Sequence, residues 1–310
     1  MTLALLFPGQ GVQHVAMLPW LEAEPLAAPL LATVGEQLGG DWRARLGDEA
    51  WASRNEVAQP LLTGVSLAAW AALAPHLPRP AMVAGYSVGE LAACSAAGVF
   101  DASTALSLAA QRAELMDRCA SDDTPSGLLA VSGVHASALD ELRARFKLEV
   151  AIRIGIDRCV LGGPLAALDA IAPALIARGS ELTRLRVRVT SHTPAMAAAA
   201  RAFAAVIGAM PWQRSTCIVV CDLDGAGRRD AASLKHALAQ QIDHPLEWGR
   251  CLETLAERQP RCVLEVGPGS SLARMWSAAV PDVPVRSVDE FQSAAAVVDW
   301  VQRTLADARR

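Results

Sequence analysis

Ser87 lies in a setting that is typical of a nucleophile. The segment AGYSVGEL places it between Gly85 and Gly89, where an apolar run ends and an alanine-rich run begins. In a sharp strand-to-helix turn, the residues two before and two after the nucleophile must be small, so that strand and helix can approach closely. The free N–H groups at the start of such a helix face the hydroxyl, which makes that of Val88 a candidate oxyanion donor. An ordinary turn with a solvent-facing serine is the alternative, because short glycine patterns recur by chance.

A serine hydroxyl needs a base, and the sequence favours His192 among its six histidines. This residue lies in RVTSHTPAM, directly after an alternating segment and before a proline that can open a helix. Histidines in loops at strand ends are common candidates for general bases. His14 follows a glycine-rich loop and is a weaker candidate. Structural or surface roles are favoured for the remaining four, His76, His135, His236 and His244.

The segment FPGQG at residues 7–11 predicts a loop that surrounds Gln10 with small or rigid residues. Glycine and proline there allow the backbone to approach a ligand closely. A backbone N–H group from this loop would complement that of Val88 in an oxyanion hole. A simple turn is the alternative, because the motif is short.

The elements that would position these residues alternate between strands and helices. Strands are predicted at 3–7 and 81–86, and helices at 57–74 and 102–120, the latter with Asp101 as its N-cap. After residue 190 the same alternation returns, with strands in CIVVCDLDG and CVLEVGPG and helices at 195–209, 231–241 and 249–258.

The stretch between these parts predicts a separate module. Its order is β-α-β-β-α-β, with SGLLAVSG, LEVAIRI, RCVLGG and LTRLRVRV as strands and HASALDELRARF and PLAALDAIAPALIARG as helices. That order is the signature of a ferredoxin-like unit. We therefore predict an α/β protein: a large α/β-hydrolase-like domain with a parallel sheet, residues 1–123 and 190–310, and an inserted ferredoxin-like small domain, residues 124–189.

Composition excludes several classes of function. With 310 residues, 52% hydrophobic and 19% charged residues and a net charge of −4, the chain predicts a packed globular protein with no basic excess for nucleic acid. No basic leader precedes Pro8, and the apolar stretch 61–75 is shorter than the roughly 20 residues of a membrane span, so a cytoplasmic protein without a membrane segment is expected. Seven cysteines without a Cys-x-x-Cys pair favour small buried side chains over disulfides or a metal site.

Five segments, taken in order, resemble the malonyl-CoA:acyl-carrier-protein transacylase family over nearly the full chain. They are FPGQG at 7–11, GYSVGE at 85–90, LAAQRAELM at 108–116, TSHTPAM at 190–196 and QQIDHPLEW at 240–248. Each segment alone is weak evidence, whereas five in the family's order are specific.

The resemblance implies a catalytic set. Ser87 would be the nucleophile, His192 its base, and Gln241 would hold the imidazole through its backbone carbonyl. A malonyl ester on the serine would form with loss of coenzyme A, and a phosphopantetheine-type thiol on an acyl carrier protein would then attack it, which gives ping-pong kinetics. The resemblance implies no metal and no other cofactor besides the substrate malonyl-CoA.

The resemblance also implies a binding set. Arg112 would hold the free carboxylate of the substrate, because a planar guanidinium binds such a group bidentately and so selects malonyl over acetyl. The backbone N–H groups of Gln10 and Val88 would form the oxyanion hole.

Two departures from the family bear on the acceptor. Tyr86 stands where the fatty-acid and polyketide enzymes usually have histidine, and IRIGIDRCVLGG lacks the asparagine-rich turn that the family often shows. GYSVGEL is more similar to the malonyl transferase (epsilon) subunit of bacterial malonate decarboxylase, which charges that complex's small carrier subunit. A transacylase of fatty-acid or polyketide synthesis is the first alternative.

Two further alternatives receive less support. A serine thioesterase of similar fold would usually supply an acidic residue between nucleophile and histidine, and none stands out between Ser87 and His192. An inactive scaffolding subunit is disfavoured because serine, histidine and arginine are all retained.

Overall fold

The computed structural model describes residues 2–120 and 124–307 as a mixed α/β protein built on two β-sheets. The strands β1 to β11, in chain order, are Leu3–Phe7, Met82–Gly85, Ser126–Ser132, Glu149–Arg153, Arg158–Pro164, Glu181–Arg184, Ile218–Val220, Gly227–Arg228, Leu246–Glu247, Cys262–Glu265 and Val285–Ser287.

The described residues also form α-helices that cover both sheets. In chain order, α1 to α13 are Ala28–Leu38, Trp42–Arg45, Glu49–Ala52, Asn55–Leu73, Gly89–Ala96, Ala102–Asp117, Ala136–Arg145, Leu165–Ile176, Ala197–Gly208, Ala231–Gln240, Trp248–Glu257, Ser271–Ala279 and Ala294–Asp307. The N-cap predicted for α6 is present, since the Asp101 carboxylate accepts the N–H of Thr104 at 2.7 Å.

The first sheet, here called the parallel sheet, has the strand order β11-β10-β1-β2-β7-β8, and only the terminal pair β7–β8 is antiparallel. Its central strand β1 is fully buried, as expected for an apolar strand covered on both faces. Phe7 pairs with Gly85, and Ala84 pairs with Val220. The loops that follow β1, β2 and β7 therefore leave the same edge of the sheet side by side, where open α/β sheets bind their ligands.

Helix α4 lies in the interior. With the turn that follows it, the segment Asn55–His76 is long and apolar enough to cross a membrane, so the expectation that the longest apolar segment is too short is wrong. However, 83% of its most apolar window is buried inside the protein. Its contacts are those of a core helix, packed against α1 and α6.

The second sheet, here called the small sheet, has the order β6-β3-β5-β4-β9. Its first four strands are antiparallel, and the order of fourth, first, third and second strand is that of the predicted ferredoxin-like unit. Strand β9 comes from the chain after residue 190 and pairs with β4 in parallel, which the sequence did not predict. The division into domains at 124–189 stays a prediction, and β9 is an exception to it.

The strand predicted at 182–189 is too long. Strand β6 ends at Arg184, although the alternating pattern continues for five residues. Val187 and Val189 instead pack against the apolar core beside the parallel sheet. Their burial in that core gives the same alternation that a strand would show, so the pattern alone cannot separate the two structures.

Strand β2 and helix α5 approach each other so closely that Gly85, the last residue of the strand, has no room for a side chain. A Cβ atom on Gly85 would lie 2.1 Å from the backbone nitrogen of Glu90 and 2.2 Å from the carbonyl carbon of Gly89. Both neighbours are backbone atoms, which cannot rotate away. The glycine spacing around Ser87 is therefore a packing requirement.

We predict that Gly85→Ala lowers the free energy of unfolding by about 1–3 kcal/mol or more, since overpacking forces the backbone to shift. Gly208→Ala is the control, because a Cβ atom at that helical glycine meets nothing within 4 Å. The control is expected to be neutral or to stabilise by up to about 1 kcal/mol. Urea unfolding followed by circular dichroism measures both changes, and equal stabilities of the two variants would contradict the prediction.

Candidate active site

The turn between β2 and α5 presents Ser87 at the carboxyl edge of the parallel sheet. Its φ angle is +55°, a left-handed conformation that is uncommon for residues other than glycine. On the other side of the turn, a Cβ atom on Gly89 would lie 2.2 Å from the carbonyl oxygen of Phe7. The serine is thus held in a strained turn between two tightly packed glycines.

His192 lies in the loop that follows β6, and its side chain contacts that of Ser87. Its Nε2 lies 2.9 Å from Ser87 Oγ, and its Nδ1 lies 2.5 Å from the backbone carbonyl oxygen of Gln241. Since a carbonyl only accepts hydrogen bonds, Nδ1 carries the proton and Nε2 is left to accept the serine O–H. The backbone N–H of His192 donates to the Ile242 carbonyl at 2.8 Å, which anchors this loop to the chain that follows Gln241.

The imidazole of His192 is uncharged at neutral pH. Burial first, and then the positive charge of Arg112, lower its pKa to about 3, although the hydrogen bond to Gln241 acts in the opposite direction. A neutral imidazole that already accepts the serine hydroxyl is ready to take its proton.

Arg112 projects from α6 into the interior and is fully buried. Its Nη1 donates to Gln59 Oε1 at 2.8 Å, and its Nη2 lies 3.3 Å from both Ser87 Oγ and Gln241 Oε1. Its Nε has no acceptor within the part of the chain that the structure describes. Burial lowers the pKa of the guanidinium and the charges of Asp222 and Glu90 raise it; the result is about 10, so the group stays protonated at neutral pH.

Two backbone N–H groups near the serine, those of Gln10 and Val88, are candidate oxyanion donors. Across residues 2–120 and 124–307, neither Gln10 nor Val88 donates its backbone N–H to an acceptor. The Gln10 side chain donates to Asn55 Oδ1 at 2.9 Å, which ties its loop to α4. A Cβ atom on Gly9 would lie 2.6 Å from the carbonyl oxygen of Tyr86, so this loop lies directly against the nucleophile turn.

Three polar residues of the site were not identified from the sequence, namely Gln59, Glu90 and Asp222. The carboxylate of Asp222 accepts the backbone N–H of Ser87 at 2.6 Å. Glu90 Oε2 accepts from the backbone N–H of Asp222 at 3.2 Å and from Gln241 Nε2 at 3.3 Å. One signal was present, because Asp222 follows an apolar strand, and polar residues at carboxyl strand ends gather at one edge of a parallel sheet.

The weaker candidate His14, and His244, for which a structural role was favoured, make their contacts elsewhere. His14 Nε2 contacts Asp289 Oδ2 at 2.6 Å, and His244 Nδ1 contacts Asp243 Oδ1 at 2.7 Å. Among the described residues, no group of three or more histidine, cysteine, aspartate or glutamate side chains is arranged to hold a metal ion. Six of the seven cysteines are buried, Cys119 is partly exposed, and all seven are free thiols.

A cavity of about 380 Å³ opens beside Gln10 and Tyr86. The ring of Tyr86 packs edge-on against Trp248, with ring centroids 5.0 Å apart. A slightly larger cavity, about 440 Å³, lies along α13 and contains none of the residues of the site. The cavity beside Gln10 and Tyr86 lies between the loop after β1, the chain that follows β6, and helix α12. Its lining consists of Pro8, Gly9, Gln10, Gly11, Val12, Tyr86, Thr183, Arg184, Leu185, Arg186, Val187, Ser271, Leu272 and Met275.

The fold and this geometry define an α/β enzyme in which a serine, a histidine and an arginine meet at the carboxyl edge of a parallel sheet. The chain belongs to the acyl transferase family, because the family model described as "Acyl transferase domain" matches residues 5–308.

Individual relatives are similar over nearly the whole length. The malonyl CoA-acyl carrier protein transacylase of Mycobacterium tuberculosis is 34% identical over an alignment of 294 positions, which covers 92% of this chain and 96% of the relative. A crystal structure of malonyl-CoA:acyl carrier protein transacylase from Xanthomonas oryzae is 30% identical with a TM-score of 0.88, covering 96% of this chain and 99% of that one. A solved structure of a type II PKS acyl-carrier protein in complex with its malonyl-transacylase contains a chain that is 26% identical to this one. The TM-score is again 0.88, and the match covers 96% of this chain and 99% of that one.

The low pKa of His192 predicts how the reactivity of Ser87 depends on pH. Covalent modification by phenylmethanesulfonyl fluoride, followed by intact mass, should proceed at a nearly constant rate from about pH 8 to about pH 5, because the base stays unprotonated. A histidine with the ordinary pKa of about 6.5 would lose roughly 97% of its neutral form at that lower pH. His192→Ala should react slowly at every pH, and a decline of the wild-type rate centred near pH 6.5 would contradict the prediction.

Proposed function

We propose that this protein transfers the malonyl group of malonyl-CoA to the prosthetic-group thiol of an acyl carrier protein, through a malonyl ester on Ser87. The observation that carries this proposal is the position of Arg112, whose Nη2 lies 3.3 Å from the same Ser87 Oγ that contacts His192. The relatives named as malonyl CoA-acyl carrier protein transacylases support both the donor and the acceptor.

The distance between arginine and serine fits a short dicarboxylic acyl group. In a malonyl group the free carboxylate is only two bonds from the carbonyl carbon that the serine attacks. A cation next to the nucleophile therefore suits malonyl, whereas acetyl has no charge to offer it. The buried Nε of Arg112, which lacks an acceptor among the described residues, and its Nη2 provide the two parallel donors of a bidentate pair.

In the first half-reaction, Ser87 Oγ attacks the thioester carbonyl while its proton passes to His192 Nε2. The carbonyl oxygen becomes an oxyanion, which the free N–H groups of Gln10 and Val88 are placed to receive. The imidazolium keeps its Nδ1 hydrogen bond to the Gln241 carbonyl at 2.5 Å, and so stays oriented for the next transfer. The C–S bond then breaks, and the coenzyme A thiolate takes the proton from His192 Nε2.

The second half-reaction runs through the same groups in the opposite order. His192 Nε2 takes the proton of the carrier thiol, and the sulfur attacks the malonyl ester on Ser87. After the oxyanion collapses, the serine oxygen leaves and takes the proton back from the imidazole. These steps are carried by side chains and backbone groups of this chain, and they require no metal and no other cofactor. A cytoplasmic location stays a prediction.

The acceptor carrier has two candidate identities. The names of the relatives favour the carrier of fatty-acid or polyketide synthesis. Tyr86 before the nucleophile, instead of the usual histidine, favours the small carrier subunit of a malonate decarboxylase complex, in the manner of that complex's epsilon subunit. Neighbouring genes separate the two, because a decarboxylase operon carries its own carrier and carboxyltransferase subunits.

Incubation with malonyl-CoA is expected to add one malonyl group to the wild-type chain, located on Ser87 by peptide mass. Ser87→Ala should remove this label and lower the transfer rate by several orders of magnitude, as loss of a nucleophile does. Ser95→Ala is the matched control, because Ser95 lies on α5, the helix that follows the nucleophile turn, and this variant should keep the label. A label that persists in Ser87→Ala places the nucleophile elsewhere, and malonyl-enzyme that decays to malonate faster than it acylates a carrier indicates a thioesterase.

Replacement of the arginine tests selection of the substrate. Arg112→Ala should reduce the malonyl-over-acetyl ratio of kcat/KM by about 10- to 100-fold, the value of a lost charge-assisted contact. Arg118→Ala is the control, since Arg118 at the end of the same helix is exposed and pairs with Glu114. Unchanged selectivity in Arg112→Ala would contradict its role as carboxylate clamp.

A further inference from the structure

Two carboxyl groups lie buried behind the nucleophile, and the reaction scheme above gives neither of them a role. Asp222 follows β7, and Glu90 is the second residue of α5. Both residues have 0% of their surface exposed. Burial of a carboxylate is costly unless hydrogen bonds or charges compensate, so each group needs an explanation.

Asp222 acts on the backbone of the nucleophile. Its Oδ2 accepts the N–H of Ser87 at 2.6 Å. That residue has a φ angle of +55°, which costs about 1–3 kcal/mol outside glycine and persists only where surrounding contacts enforce it. The bond to Asp222 fixes the peptide that enters the strained residue, and thereby the direction in which the hydroxyl points.

Glu90 acts on the residue that orients both the base and the clamp. Its Oε2 accepts from Gln241 Nε2 at 3.3 Å, and from the backbone N–H of Asp222 at 3.2 Å. Gln241 in turn offers its backbone carbonyl to His192 at 2.5 Å and its side-chain oxygen to Arg112 at 3.3 Å. A continuous set of hydrogen bonds thus connects the two acids to every side chain of the proposed reaction.

Burial and their mutual interaction set the electrostatics of the two carboxyl groups. Glu90 Oε1 and Asp222 Oδ1 receive no hydrogen bond from the described residues, and the two side chains interact with each other. Burial, as the first cause, raises the pKa of both groups, and the Glu90 charge raises that of Asp222 further. Arg228 lowers the pKa of Glu90 and Arg112 lowers that of Asp222. Adjacent buried carboxylates repel, so the pair favours the uptake of a proton by one of its members.

We propose that Asp222 and Glu90 are a pair of positioning residues for acyl transfer: they hold the backbone of Ser87 and the amide of Gln241, and balance the charge of Arg112. This inference rests on the proposed function, because the geometry they hold is that of the nucleophile and its base. Neither residue touches the reacting atoms. Their effect is therefore expected in kcat for enzyme acylation, with little change in KM for malonyl-CoA.

The first test compares Asp222→Ala with Asp222→Asn. Alanine removes the acceptor for the Ser87 N–H, and the rate of malonyl-enzyme formation, followed by rapid quench and intact mass, should decrease by about 10- to 100-fold. Asparagine retains a side-chain oxygen for that N–H and can donate to Glu90, so it should restore the rate to within about threefold of wild type. Equal rates in the two variants, whether fast or slow, would overturn the role of Asp222.

The second test applies the same logic to Glu90, and stands even if Asp222→Ala does not fold. Glu90→Ala removes the acceptor for Gln241 Nε2, whereas Glu90→Gln keeps an oxygen at that position. We expect a slower kcat in Glu90→Ala, with KM for malonyl-CoA within about threefold of wild type, and recovery in Glu90→Gln. A loss confined to KM, or no recovery in the glutamine variant, would contradict positioning through Gln241.

The control is a third buried carboxyl group that lies outside the set of hydrogen bonds. Glu265 accepts the backbone N–H groups of Leu272 at 3.2 Å and Ala273 at 2.7 Å, at the start of α12. Glu265→Ala should lower the unfolding temperature and leave the acylation rate of the folded protein near wild type. An equal loss of rate in this control would attribute the effect to stability and overturn the proposal. If wild-type protein itself is not acylated, the proposed function fails, which is a distinguishable result.

Discussion

The 2.9 Å contact between Ser87 Oγ and His192 Nε2 requires two residues in left-handed backbone conformations, with φ angles of +55° and +63°. Neither is glycine, so both conformations cost free energy that the surroundings must offset. At the serine, the close approach of β2 and α5 leaves no alternative path for the chain. At the histidine, the hydrogen bond from its own N–H to Ile242 fixes the loop. The parallel sheet and its helices therefore hold these two turns in contact.

The electrostatics of the site follow from placing a cation next to a neutral imidazole in a buried region. Arg112 alone would be an uncompensated charge, and it helps to keep His192 unprotonated. Asp222 and Glu90 supply compensating negative charge and raise the pKa of the guanidinium. Gln59 and Gln241 already hold the guanidinium of Arg112 in position, so the proposed binding of a substrate carboxylate requires little rearrangement.

Local sequence patterns predicted those parts of the molecule that depend on local geometry. The glycines around Ser87 identify the turn between β2 and α5, because their spacing is a steric requirement. The order of strands and helices identifies the ferredoxin-like unit. Arg112 could not be distinguished from a surface residue by helical periodicity, and only the family resemblance selected it. Asp222 was missed because its partner, the N–H of Ser87, is 135 positions away in the chain. Strand β9 was missed because two residues that pair with a distant strand have no periodicity of their own.

Strand β9 connects the chain after residue 190 to the small sheet, across the predicted boundary between the two domains. Gln241, whose carbonyl oxygen steadies the imidazole, is followed within one tight stretch of chain by Leu246, which pairs with Ile152 of the small sheet. A rotation of one sheet against the other would pull on this stretch and change the direction of the carbonyl. The orientation of the His192 imidazole is thus coupled, through Gln241 and β9, to the position of the small sheet.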